Sequence, residues 1–368
     1  MDADRRCQMV KTLLKIILSV ILVLIVAAGG LVTWLTATEY KPDDVESVEV
    51  KTSAEGTDAE LGDTLTVITW NTGYCCLGAD ADFVMDGGKG NGKAKSADAV
   101  MINASAISEK LIETDADIYL LQEVDSNSAR SYNIDQVSYM TDALAADTGT
   151  TLYSAYALNY SCKFVPFPFP PMGEVQSGVE TITGLPVESA ERIALPVPFS
   201  WPLRVANLKR CLLVSYIDLP ESDAQLVAVN FHMEAYDDGT GRAAQTDVLY
   251  DFIAAEYAKG NYVVCGGDFN QSVGDALDRW PVLSEDYWAP GLLDTESLPE
   301  GWTFSCDLET PSCRSLDRPF APGDENFQYY VIDGFITSPN VEAISVETID
   351  AGFWYTDHNP VRLELRLK

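Results

Sequence analysis

Three hydrophobic patterns follow one another along this chain. The first is continuous: from Ile16 to Leu35 no charged residue interrupts a run of mostly Leu, Ile, Val and Ala. About twenty such residues reach roughly 30 Å as a helix, the thickness of a bilayer core, whereas the apolar stretch of a cleaved signal peptide is about 7–15 residues. The expectation is a membrane-spanning helix over 12–36, with a cleaved signal peptide as the lesser alternative. Arg5, Arg6, Lys11 and Lys15 precede the run, and Asp43, Asp44, Glu46 and Glu49 follow it. Positive residues stay on the cytoplasmic side, so residues 1–11 form a cytoplasmic tail and everything after Thr36 lies outside. Trp34 and Tyr40 fall where interfacial aromatic residues belong. No cysteine follows the run before Cys75, which excludes a lipoprotein-type anchor. The second pattern, over 37–62, is acidic and nearly free of large apolar groups, and reads as a solvated linker lifting the rest off the membrane.

From residue 63 onward the third pattern alternates β-prone runs with helical ones. Strands are expected at Thr64–Trp70, Asp117–Leu121, Thr150–Asn159, Gly178–Thr183, Ala190–Leu195, Cys211–Leu219 and Gln225–Phe231. A buried strand at Tyr262–Cys265 runs into G-G-D-F-N-Q-S, and three more follow at Tyr329–Thr337, Val341–Ile349 and Asn359–Leu367. Helices are expected from a Ser96 cap to Ile112, over Val137–Ala146, and from a Thr240 cap to a stop at Gly260. Residues 163–173, K-F-V-P-F-P-F-P-P-M-G, have too many prolines for a helix or a central strand. Many strands with few helices point to an α/β sandwich rather than a doubly wound sheet.

Charge and cysteine usage narrow the picture. The formal net charge is −32 with a pI near 4.2, which opposes tight wrapping of a polyanion but not a small basic site or a divalent cation. In an exported domain Cys306 and Cys313, flanking D-L-E-T-P-S, can close a disulfide. Cys162, Cys211 and Cys265 sit in apolar runs as buried thiols, and no spacing matches a zinc site. Lys163, Arg192, Arg204, Lys209 and Arg210 lie close together in sequence. They read either as a local phosphate grip, with Arg192 and Arg210 its members, or as scattered surface charge.

Polar residues recur at the ends of the expected strands. Asn71 ends one, Glu123 another, His232 a third, and Asp268 with Asn270 a fourth; Asp333 sits within V-I-D-G-F, and Asp357-His358 opens the last strand. Each residue alone has an ordinary explanation: a turn for Asn71, a solvated carboxylate for Glu123, an Asx turn for Asp268 and Asn270, core packing for a histidine. The chain has only two histidines and both fall in this set, which turns the balance toward chemistry.

The series W-N-T (Trp70–Thr72), L-Q-E-V-D (Leu121–Asp125), V-N-F-H-M (Val229–Met233), G-G-D-F-N (Gly266–Asn270), V-I-D-G-F (Val331–Phe335) and T-D-H-N-P-V (Thr356–Val361) resembles the endonuclease/exonuclease/phosphatase superfamily. That superfamily includes deoxyribonuclease I, abasic-site endonucleases, sphingomyelinases and inositol polyphosphate 5-phosphatases. The resemblance implies a four-layer α/β sandwich of two mixed sheets flanked by helices, over 63–368, and hydrolysis by Mg²⁺-assisted (or Mn²⁺-assisted) attack of water on phosphorus. By motif, Glu123 would be the principal metal ligand with Asn71 beside it, and Asp268 would position or deprotonate the water. Asn270 would hold a phosphoryl oxygen, and His358, oriented by Asp333, would stabilise developing charge, with Asp357 near the metal. His232 would be a phosphate contact or general acid on the leaving-group side. Gly73 stands where abasic-site enzymes carry an Asp, so a second metal ligand there is not implied.

The substrate class stays open at this level. A phosphodiesterase acting on a nucleic acid, lipid headgroup or small molecule, a nuclease for extracellular DNA or RNA, and a non-catalytic binding module on the same fold are the three readings. No obligate protein partner is indicated. The aromatic, proline-stiffened segments 164–172 and 195–203 read either as core-covering loops or as a rim that dips toward lipid.

Overall fold

A computed structural model describes residues 2–53, 56–220, 222–285, 287–324 and 326–368. The apolar run forms helix α1 (Asp2–Ala37), long and apolar enough to cross a membrane from Arg5 to Ala37. Where a linker was expected, β1 (Val45–Val48) and β2 (Val50–Thr52) form instead. These two short strands pair onto strand edges of two different sheets. Alternating Val residues and open strand edges suffice for pairing, which composition alone does not reveal. Ala54 and Glu55 of the expected linker lie outside the described residues.

The folded body continues in chain order with β3 (Leu65–Asn71), α2 (Ala97–Thr114), β4 (Ile118–Asp125), α3 (Gln136–Thr148), β5 (Tyr153–Val165) and β6 (Gly173–Thr183). Then come β7 (Val187–Ala194), β8 (Cys211–Asp218), β9 (Gln225–His232), α4 (Thr240–Ala258), β10 (Tyr262–Asp268) and α5 (Gly274–Arg279). Last are β11 (Thr303–Ser305), β12 (Asp333–Thr337), β13 (Val341–Thr348) and β14 (Val361–Leu367). Two seven-stranded sheets result, ordered β1-β7-β8-β9-β10-β12-β11 and β13-β14-β3-β4-β6-β5-β2. Both are mixed: β9 with β10 and β3 with β4 are parallel, and their other neighbours antiparallel.

Strand periodicity builds the layers. Val67, Ile118 and Leu120 face Leu226, Ala228, Val264 and Phe335 across the space between the sheets. Their neighbours Ile68, Trp70, Tyr119 and Leu121 face outward onto Val100, Ile107 and Leu111 of α2 and Met140 of α3. On the far side Val227, Val229, Val263 and Cys265 pack against Leu249 and Ile253 of α4. The order helix, sheet, sheet, helix is the four-layer sandwich. A buried polar tie joins the two sheets: Gln122 donates to Asn230 Oδ1 at 2.8 Å, and Asn230 donates back to the carbonyls of Leu121 and Glu180.

Local details refine the expectations. Ser96 caps α2 by accepting from the Ala99 amide, as its position before the helical run suggests. Thr240 does not cap α4 but opens it; Asp237 accepts from the Gly241 and Arg242 amides instead. The expected strand at 329–337 is broken at Val331 and Ile332, and only Asp333–Thr337 joins a main sheet. Cys306 and Cys313 are both free thiols, not a disulfide; Cys313 pairs instead with the backbone of His358.

Candidate active site

Parallel pairing explains why distant polar residues meet. The parallel strands β3 and β4 end together, and so do β9 and β10, so Asn71, Glu123, His232 and Asp268 arrive at one edge of the sandwich. Strand β12 runs the other way, so its first residue, Asp333, lies opposite Asp268 in register. The loop into β14 brings Asp357 and His358 to the same edge, where all but Asp333 line one cleft of about 570 Å³.

Asp268 is the hub. Its Oδ2 accepts from Asn71 Nδ2 at 3.0 Å, lies 3.3 Å from His232 Nε2 and 3.8 Å from His358 Nε2, while Oδ1 accepts from the Asn270 amide. Burial and the neighbouring Asp333 raise the Asp268 carboxyl to about 7, against the opposing pull of His358. Asn270 is in a left-handed conformation, φ 50°, and gives its Nδ2 to the Met233 carbonyl. The Asx turn and the polar strand end, which competed as readings of this sequence, are one structure. Phe269 between them is fully buried on Phe231 and Phe304, and an added Cβ at Gly267 would lie 2.2 Å from the Phe231 carbonyl, so only glycine allows this approach.

His358 and His232 are shifted in opposite directions. His358 Nδ1 lies 2.9 Å from Asp333 Oδ2; burial works against its charged form, but Asp333 and then Cys313 outweigh that and lift it well above the usual histidine value. Ser312 donates to the same Asp333 oxygen at 2.7 Å. His232 is pushed well below its usual value by burial, then by Arg210 and His358. Its Nδ1, 3.8 Å from Glu123, has no hydrogen-bond partner among the described residues.

Glu123 reaches the cleft through a break in the ladder. The β4–β6 register shifts between Leu121 and Val124, and Glu123 takes φ 55°, a conformation that a non-glycine residue adopts only when its surroundings impose it. Burial and the charge of Asp357 raise its carboxyl, with Arg130 and Asn71 opposing. Asn71 turns its amide nitrogen, not its oxygen, toward Glu123 at 3.2 Å, and its Oδ1 accepts from the Gly73 amide. A carboxylate held up by burial and by a second carboxylate in the same cleft suits a hard, oxygen-seeking cation. Asp268, Asp333 and His358 also converge closely enough to hold a metal, but there the imidazolium already balances the carboxylates.

The basic residues separate. Arg210 lines the cleft, buried, with Nε 3.9 Å from Glu234, and its Nε and one terminal nitrogen lack a hydrogen-bond partner among the described residues. Arg192 does not join it; its guanidinium donates to the carbonyls of Leu158 and Lys209 beneath Tyr40, tying β7 to the other sheet. Lys163 pairs with Glu174, and Arg204 and Lys209 with Glu39.

Several residues of the site were not singled out from sequence. Arg130 forms a buried pair with Asp125 and lies 3.4 Å over the Tyr74 ring, which itself lines the cleft. Asp86, raised to about 7 by burial, accepts from the Tyr236 hydroxyl across the mouth. Sequence offered no signal for Ser312, Tyr236 or Asp86, because each comes from an irregular loop.

The fold is shared with solved structures at low identity. An endonuclease/exonuclease/phosphatase from Beutenbergia cavernae matches with TM-score 0.58 at 17% identity, over 83% of this chain and 72% of that one. A family protein from Leptotrichia buccalis matches with TM-score 0.53 at 13% identity, over 82% of this chain and 100% of that one. The human Nocturnin catalytic domain, solved with a bound sulfate anion, matches with TM-score 0.50 at 14% identity, over 87% and 97%. No curated protein matches the sequence. The family model described as Endonuclease/Exonuclease/phosphatase family matches residues 68–358, and the chain belongs to that family of metal-dependent hydrolases of phosphodiester bonds.

Proposed function

We propose that this chain is a membrane-anchored, extracytoplasmic, Mg²⁺-dependent phosphodiesterase. The observation that carries the reading is the meeting, in one cleft, of Glu123 and Asp357 with two histidines that flank Asp268 at 3.3 and 3.8 Å. Glu123 and Asp357 would hold the cation, with Asn71 fixing the orientation of Glu123, and a Mg²⁺ ion there would supply neutralisation of the phosphoryl charge.

The remaining steps belong to side chains. Asp268, poised near neutrality, orients the attacking water and takes its proton. His358, held charged by Asp333, and the unsatisfied guanidinium of Arg210 meet the charge that grows on the equatorial oxygens. His232, neutral, lies with Nε2 3.3 Å from Asp268. Water's oxygen bonds to phosphorus as its proton goes to Asp268, one ester P–O bond breaks, and the departing oxygen takes a proton from solvent and leaves as an alcohol, giving a phosphomonoester.

Hydrolysis of bis-p-nitrophenyl phosphate by the purified full chain tests this. Turnover is expected to need Mg²⁺ or Mn²⁺, to stop with chelator, and to fall at least ~10²-fold in Glu123→Ala. Chelator-resistant turnover, or an unchanged Glu123→Ala enzyme, defeats the reading.

A further inference from the structure

The cleft is polar at its floor and apolar at its mouth, and the mouth is built partly from α1. Leu31, Val32 and Leu35 line it together with Val165, Phe167 and Leu203. The contact is packed: Leu35 is 4% exposed and shares a cluster with Tyr160, Val175 and Val205. Polar ties lock the helix end in place. Trp201 Nε1 donates to Thr36 Oγ1 at 3.0 Å, and Glu39 meets Arg204 at 3.2 Å and Lys209 at 3.6 Å. No flexible tether separates the last turn of the helix from the body of the enzyme.

This geometry fixes depth. The uncharged run ends at Leu35, so its roughly 30 Å reach places Leu31 to Leu35 at the outer boundary of a bilayer core. Side chains at that level line the cleft, so the mouth opens where acyl chains meet headgroups. The surface around it agrees. Phe169 (77% exposed), Leu203 (65%), Trp201 (57%) and Phe167 (53%) project from the two proline-rich segments, more bare aromatic and aliphatic surface than a wetted face carries. Beside Phe169, in a chain of net charge −32, Lys89, Lys93 and Lys95 gather around one small depression. Cations next to inserted aromatics suit the phosphate layer of a membrane.

We infer that the substrate is a phosphodiester lipid taken directly from the bilayer that α1 crosses. Its acyl chains lie along the apolar mouth while its phosphate reaches Asp268, His232 and Arg210. This rests on the phosphodiesterase reading above and on α1 being retained as an anchor. The chemistry balances as before: one water is consumed, one ester P–O bond breaks, and a phosphomonoester and an alcohol form.

The test uses the full chain in phospholipid nanodiscs. Phosphatidylcholine, phosphatidylglycerol and sphingomyelin, each supplied in the enzyme's own nanodisc, are compared with glycerophosphocholine, glycerophosphoglycerol and bis-p-nitrophenyl phosphate. At least one lipid is expected to be hydrolysed with kcat/KM ~10-fold or more above its water-soluble counterpart. Phe169→Ser, outside the cleft, is expected to lower lipid turnover ~10-fold and leave bis-p-nitrophenyl phosphate untouched. Lipids left intact while the soluble diester is cleaved would overturn this inference alone, as would a rim variant that affects both substrates equally. Failure of the soluble diester under every metal condition would instead bring down the phosphodiesterase reading.

Discussion

Replacing Asp333 by Asn removes one charge and almost no volume, which isolates what that charge does. The carboxylate is 1% exposed and sits 2.9 Å from His358 Nδ1. At an effective dielectric near 20 the attraction is about 6 kcal/mol before desolvation is subtracted. Asn can still accept from Ser312, so folding should survive, but the imidazolium loses the partner that outweighs its burial. If His358 stabilises transition-state charge only while Asp333 holds it charged and oriented, Asp333→Asn and His358→Gln each lower kcat by about 10²–10³-fold. The two residues then act as one unit, and the double variant is little worse than the poorer single one. Initial rates on bis-p-nitrophenyl phosphate at saturating Mg²⁺, alongside Tm for all four proteins, measure this. Losses that multiply in the double variant would show independent roles and refute the argument; so would wild-type kcat in Asp333→Asn.

Three further outcomes are expected. Arg210→Ala raises KM roughly tenfold with Tm nearly unchanged, whereas Arg192→Ala lowers Tm and leaves kcat/KM of the folded enzyme intact; steady-state kinetics and calorimetry distinguish the two. Glu180, fully buried with Oε1 accepting from Ser154 and Thr141, is raised by burial from 4.5 to about 8. Its protonated form belongs to the folded state, so the stability it contributes is complete below about 4.5 and is lost as pH climbs through 8, an upper bound of about 5 kcal/mol. Tm should therefore fall between pH 5 and 8.5 in the wild type and less in Glu180→Gln, and parallel slopes would contradict it. Cys7 is the one fully exposed thiol among the described residues; a membrane-impermeant maleimide should label it only after lysis, and labelling of intact cells would reverse the assigned topology.

The layers of the fold were legible because strand alternation is a local property. Val67 against Ile68, or Val263 against Val264, announces two buried faces without any knowledge of partners. The residues that meet in the cleft were legible one by one, since Asn71, Glu123, His232, Asp268, Asn270, Asp357 and His358 all lie where strands end or loops enter them. Its electrostatics were not. Two histidines in similar motifs shift in opposite directions because burial, reinforced by Arg210, lowers one while Asp333 overrides burial at the other, and pairings across 22 or 25 positions leave no local trace. The strands at 45–52 were hidden for a related reason: an acidic segment pairs when open edges wait for it, and the edges lie more than a hundred residues downstream. Arg192 misled by proximity to Arg210 in sequence, although β7 and β8 turn the two guanidinium groups to different surroundings.

The bond between Gln122 and Asn230 has a mechanical consequence. Asn71 and Glu123 ride on one sheet, and His232, Asp268 and Asp333 on the other, so sliding of one sheet over the other would misalign them without unfolding anything. Leu, Val and Ala between the layers resist separation, but apolar contact is non-directional and resists shear poorly. An amide pair with three short bonds across that boundary behaves like a dowel between two boards. It sits beside Leu121 and Phe231, one strand step or two from the residues that must stay aligned. Resistance to lateral slip is therefore built in within two residues of the cleft.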